Sequence, residues 1–211
     1  MKSVDPHDST NLDLNQHQHA ILLSRSDEQA AGTEYINKAL KKGFLTIYLP
    51  INGANNNINN NGASKLSKIV MPESIDNEEN MKLGNILTLD TQTFYNFALA
   101  GDLHPFEELK VLIEEAIEEK RTASKRNDEE ELIVVVVTGV AAELNRNEKF
   151  DECINVERWW QKTHSEWLQK GLKVTVICPH LIPKLDKSEF MHYKKAISSL
   201  HDIVVESGSE Q

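Results

Sequence analysis

Glu131-Leu132-Ile133-Val134-Val135-Val136-Val137-Thr138-Gly139 is the stretch whose reading decides the fold. It holds six consecutive apolar residues, four of them valine, which cannot alternate between a wet and a dry face. Such a run must be covered on both sides, the mark of an interior strand in a parallel sheet. Its β-branched side chains stiffen the chain and favour the pleated conformation over helix. Ligands of open α/β sheets bind beyond the carboxyl ends of such strands, so Thr138 and Gly139 mark the place to look. In a nucleotide hydrolase the equivalent strand ends in an acid that positions magnesium. Here it ends in Thr-Gly, which argues against ATP hydrolysis.

The flanking segments repeat the strand-then-helix rhythm. His19–Ser24 reads as a first strand. Ser26-Asp27-Glu28-Gln29 then caps a helix that buries Ala30, Ala31, Tyr35, Ile36, Ala39 and Leu40 and stops at Lys41-Lys42-Gly43. Phe44–Leu49, closed by Pro50, is a second strand, and Asn85–Asp90 a shorter one. Asp102-Leu103-His104-Pro105 opens a helix with Leu109, Leu112, Ile113, Ala116 and Ile117 on one stripe. After Gly139 a short apolar run gives way to a polar loop, and a long helix covers about 151–170. Leu172–Cys178 is a strand stopped by Pro179, and a last helix begins near Asp186. His201–Val205 is a final short strand. This alternation predicts an α/β domain, three-layered, with a mainly parallel central sheet. Residues 1–16 read as a disordered arm, 17–206 as the domain and 207–211 as a tail. The asparagine-rich 52–63 segment cannot bury a face and reads as a mobile loop.

The 211 residues allow one domain with a proper core, and a formal net charge of −10 disfavours a nucleic-acid or anionic-lipid surface. No apolar run approaches the roughly 20 residues that span a bilayer, and the first residues lack the apolar stretch of a signal peptide. Two cysteines, Cys153 and Cys178, make no disulfide framework. A soluble, cytoplasmic domain is the expectation.

The turn between the first strand and first helix is where a phosphate-binding loop would sit. That loop needs Gly, four residues, then Gly-Lys-Ser/Thr. The nearest fit, Asp27 to Gly32-Thr33, lacks the first glycine and the lysine, and Asp27 and Glu28 would repel phosphate. Cys178 and His180 form a Cys-x-His pair, with His19, His201 and Cys153 as further candidate ligands for zinc. The closely spaced double pairs of a strong zinc motif are absent, so no metal and no cofactor is expected, and Cys178 reads as structural. Glu143 and Glu157 could act as acid and base, but the plain reading of Glu157 is a solvated helix face. Trp159 and Trp160 are rotated by about one hundred degrees from each other, so either one of them lines a pocket or a subunit contact, or the helix has a wide buried face.

Several of these residues line up with one family. They are His19, Lys42-Gly43-Phe44-Leu45-Thr46-Ile47-Tyr48, Thr138-Gly139 with Glu143, Glu157, Cys178-Pro179-His180 and His201. Together they resemble the DcmR-type sensory, or MEDS, domain of archaea and bacteria, which is similar to the KaiC and RecA ATPase core with a degenerate nucleotide site. The resemblance spans about 17–206. It implies a sensor of small organic ligands, with strands 20–24, 173–178 and 132–137 adjacent and central. Their carboxyl ends would gather Ser24, Arg25, Thr138, Gly139, Cys178 and His180, with Glu143 and Glu157 as polar contacts and Trp160 as an apolar wall. His180-Leu181 departs from the family's frequent Tyr-Asp. No DNA-binding or kinase segment is apparent, so the output is expected to pass through a separate protein partner, with a homo-oligomer left open. The alternatives are a nucleotide-binding protein or weak ATPase, and a ligand-free scaffold.

Overall fold

The computed structural model describes residues 12–25, 28–51, 85–125 and 132–207. Six strands form one sheet in the order β3-β2-β4-β5-β1-β6: β1 (His19–Ser24), β2 (Leu45–Leu49), β3 (Ile86–Thr88), β4 (Ile133–Thr138), β5 (Lys173–Leu181) and β6 (Ile203–Ser207). Every neighbouring pair is parallel. The helices are α1 (Glu28–Lys41), α2 (Gln92–Leu99), α3 (Phe106–Lys125), α4 (Val140–Arg146), α5 (Phe150–Gln169), α6 (Ile182–Leu185) and α7 (Met191–Ser198). The valine run is β4, inside the sheet, with Val134 to Val137 all buried. Strands β4, β5 and β1 stand side by side at the centre.

The two faces of the sheet have separate cores. On one, Ala20, Leu22, Val135, Val137 and Ile177 pack against Ala31, Tyr35, Ile36, Ala39 and Leu40 of α1. On the other, Ile21, Leu23, Val134, Val136, Val176 and Cys178 pack beneath the remaining helices, with α5 at the centre. Period-two alternation along each strand divides the residues this way. None of the described helices is long and apolar enough to cross a membrane.

Four local readings change. Pro179 does not stop β5, which runs on to Leu181. Pairing with β4 ends at Ile177, so at Pro179 the strand is open on that side and a missing N–H is tolerated. Residues after Gly139 form helix α4, and 92–99 form α2. Each is only about two turns long at 3.6 residues per turn, too short for a clear period. The part of the 1–16 arm that is described packs: Leu12 and Leu14 are buried, Leu12 N–H donates to Tyr35 Oη at 3.2 Å and Thr175 Oγ1 donates to Leu14 O at 3.2 Å. The Ser26 cap, residues 1–11 and the 52–63 loop lie outside the described residues.

Candidate functional site

Two groups of residues carry chemistry, on different levels of the same strands. The first is a cleft at the carboxyl ends of β2 and β4. It holds about 40 Å³ reachable by the centre of a water-sized sphere. Tyr48, Pro50 and Ile51 border it from the β2 side, Val137, Thr138 and Gly139 from β4, and Ala142, Glu143 and Arg146 from α4. Gly32 of α1 and Pro179 complete the lining. A Cβ on Gly139 would lie 2.8 Å from Leu49 O and 3.2 Å from Ile51 N. Glycine therefore serves the close approach of the 49–51 backbone, rather than the approach of a ligand. The rim is polar: Arg146 Nη1 meets Glu143 Oε2 at 2.5 Å, and Asn147 Nδ2 donates to Glu143 Oε1 at 2.9 Å. Glu143 thus pairs within its own helix and its cap. Burial pushes the Tyr48 phenol up, so it stays protonated and able to donate.

The second group lies beneath α5 and is fully enclosed. Glu157 points inward from that helix with a side chain 0% exposed, which overturns its reading as a solvated residue. The helix keeps one solvent face, with Asp151, Asn155, Arg158, Lys162, Ser165 and Gln169 exposed, and its other sides are covered by β5, β1, α2, α4 and α7 and by α3. Across that last contact Trp159 Nε1 donates to Glu107 Oε1 at 3.0 Å and Trp167 Nε1 to Glu114 Oε1 at 2.9 Å. The covered sides also bury Trp159, Trp160 and Trp167 together; Trp159 meets Trp160 edge to face at 4.7 Å, and Trp167 lies tilted against Trp160 at 6.2 Å. Of the two expectations, the wide buried face is the one the structure shows.

Around Glu157 stand three histidines and two cysteines. His180 Nε2 lies 2.8 Å from Glu157 Oε1. On the other oxygen, His201 Nε2 is at 3.2 Å and His19 Nε2 at 3.6 Å. Cys178 Sγ is 3.4 Å from His19 Nε2 and accepts from Thr138 Oγ1 at 3.6 Å. Cys153 Sγ donates instead to Ala141 O at 3.4 Å. His19 and His201 lie ring over ring at 4.1 Å. Burial alone would push the Glu157 carboxyl up, but His201, His180 and His19 hold it well below the usual carboxylate range. Burial pushes His19 down, towards the neutral ring, against the pull of Glu157. The Cys178 thiol is pushed well up by burial and then by Glu157, and Cys153 by the same two causes.

The nine residues expected in one pocket therefore fall into separate places. Thr138, Gly139 and Glu143 line the cleft. Glu157, Cys178 and His180 belong to the enclosed group, and Trp160 is core. Ser24 is buried at the end of β1, and Arg25 beyond it is exposed; neither borders the cleft. Thr138 belongs to both groups. His19 and His201 were legible as candidate ligands. Arg146, Tyr48 and Pro50 were not, because α4 was unread and nothing in the sequence aims β2 at the valine strand. Two sets of side chains could hold a metal by distance: His19, Glu157, Cys178 and His201, and Cys153, Glu157 and His180. A search with the sequence finds no matching family model, and neither the curated proteins nor the solved structures give a match.

Proposed function

We propose that this chain is a non-enzymatic domain that senses a small organic ligand and signals through a separate protein partner. The observation that carries the reading is the cleft itself, which lies where open parallel sheets bind ligands. It offers an apolar floor with few polar groups. Val137, Ala142, Ile51 and Pro179 supply the floor, and the Glu143–Arg146 pair with Tyr48 supplies the orienting contacts. Its small size suits a ligand of a few heavy atoms.

A nucleotide fits the same place poorly. Glu143 sets a carboxylate where phosphates would lie, and its partner Arg146 is already matched to it. Strand β4 delivers Thr138 and Gly139 instead of a magnesium-binding acid. The resemblance to sensory domains with a degenerate nucleotide site agrees with this reading.

The test is a thermal-shift and calorimetric screen of the full chain against short alcohols, amines and carboxylates, beside ATP with magnesium. A saturable shift with a small organic compound, lost in Arg146→Ala with the fold retained, is the expected result. Stoichiometric ATP binding or magnesium-dependent turnover would overturn it.

A further inference from the structure

Four side chains from distant parts of the sequence aim one atom each at a common point. His19 comes from the start of β1, Glu157 from α5, Cys178 from β5 and His201 from the link between α7 and β6. Their ligand atoms all lie within 4.8 Å of one another. Zinc takes nitrogen and oxygen at about 2.0–2.2 Å and sulfur at about 2.3 Å, so the edges of its tetrahedron are roughly 3.3 Å for N···O and 3.6 Å for N···S. The contacts here are 3.2 Å between His201 Nε2 and Glu157 Oε2, 3.6 Å between His19 Nε2 and the same oxygen, and 3.4 Å between His19 Nε2 and Cys178 Sγ.

The second observation concerns direction. Glu157 Oε2 and His201 Nε2 are buried with no hydrogen-bond partner, although they face each other at 3.2 Å. Two ligands of one ion point at the space between them rather than at each other, which gives such a contact. A core without an ion accounts for the Cys178–His19 approach, with the thiol donating to Nε2, and makes the Glu157–His201 contact only as an ion pair with His201 protonated. Enclosing such an ion pair away from water carries a desolvation cost that a shared cation between the two atoms offsets.

The outer contacts complete the pattern. His19 Nδ1 lies 3.0 Å from Leu200 O and His201 Nδ1 2.9 Å from Ile197 O. A carbonyl only accepts, so each Nδ1 carries a proton, which leaves Nε2 of each ring as the atom that turns inward to take an ion. The remaining Glu157 oxygen is held by His180 and Cys178 Sγ by Thr138. Every one of the four therefore has a partner that fixes its aim, as ligands of metal sites do.

We propose that His19, Glu157, Cys178 and His201 form a closed, four-ligand site for a divalent transition-metal ion of the zinc class. Charge selects the divalent state. One thiolate, one carboxylate and two neutral imidazoles bring the sum with a dication to zero, the least costly total for a buried centre. Binding displaces the Cys178 proton to solvent, so affinity falls as pH falls. With no open coordination position the ion is structural. It pins β1, β5, α5 and the approach to the edge strand β6 together. The site is independent of the cleft reading.

The test uses untagged full-length protein. Elemental analysis after expression with zinc should find close to one ion per chain. Replacement by Co²⁺ should give the visible bands of a tetrahedral site and a near-ultraviolet thiolate-to-cobalt charge-transfer band. Cys178→Ser should lose that last band and Cys153→Ser should keep it. With only two cysteines in the chain, the Cys153 variant decides the assignment even if the Cys178 variant fails to fold. His201→Gln should weaken zinc by about 100-fold or more, since loss of an outer contact alone costs 10–100-fold; His192→Gln, exposed on α7, should not. Folded wild type that takes up neither zinc nor cobalt, or a charge-transfer band lost in Cys153→Ser but kept in Cys178→Ser, overturns the proposal.

Discussion

The enclosed cluster and the cleft meet at strands β4 and β5 and solve opposite problems. Glu157 is cut off from water and is surrounded by His180, His19 and His201. Glu143 sits at a rim with 25% of its side chain exposed, and its partner Arg146 is 41% exposed. Water can complete whatever the rim pair leaves unmade, whereas every atom of the enclosed group must be met from inside the protein. A carboxylate of the same type is therefore structural necessity in one place and adjustable surface in the other. Thr138 is the seam between them, lining the cleft while donating to Cys178.

The sharpest way to break this contrast is to remove the enclosed acid. Glu157→Ala leaves the inward nitrogens of His180, His201 and His19 without the acceptor they face, and each unmet buried polar group costs about 1–3 kcal/mol. Chemical denaturation with paired midpoints should read that loss. A cost below about 1 kcal/mol would place Glu157 among surface acids after all.

The cleft is tested next at Gly139. A methyl group there meets backbone of the 49–51 segment at 2.8 Å, which cannot swing aside as a side chain can. Gly139→Ala should cost about 1–3 kcal/mol and weaken cleft ligands, while the cobalt spectrum of the enclosed site stays unchanged. A variant as stable as wild type would show that the two backbones are not clamped.

Acid separates the regions by another route. His19 is pushed below its ordinary 6.5 by burial, and His164 likewise. Glu157 is held below its ordinary 4.5 by the histidines around it. Each group binds more protons unfolded than folded across its own window, so stability rises with pH there and is lost on acidification. For the metal-free chain the loss begins as pH falls through about 6.5 and steepens below about 4.5, by up to about 1.4 kcal/mol per pH unit for each group. Urea midpoints that stay level from about pH 7.5 down to about pH 5 would contradict the buried neutral histidines.

The smallest effect is expected at the rim. Glu143→Ala should change stability by less than about 1 kcal/mol, because a half-exposed ion pair is worth little, yet it removes the carboxylate beside Arg146 and should raise affinity for small anions in the cleft. Equal stability losses from Glu143→Ala and Glu157→Ala would erase the distinction between the regions.

Sequence alone determined the class of fold and its main elements. Val134 to Val137 could only be an interior parallel strand, and the stripe Leu109, Ile113, Ile117 could only be a helix face, because burial imposes the period directly on the chain. It also exposed what the nucleotide loop lacks, since that motif is local. The two short helices and the run of β5 through Pro179 depended on neighbours: α4 is held by α5 and β5, and the proline is tolerated because the β4 pairing has already ended there. The convergence of His19, Glu157, Cys178 and His201 was decided by tertiary structure alone. Sequence pattern gives Glu157 only a place on a helix; whether that place meets water or three histidines depends on how many sides of α5 the rest of the chain covers.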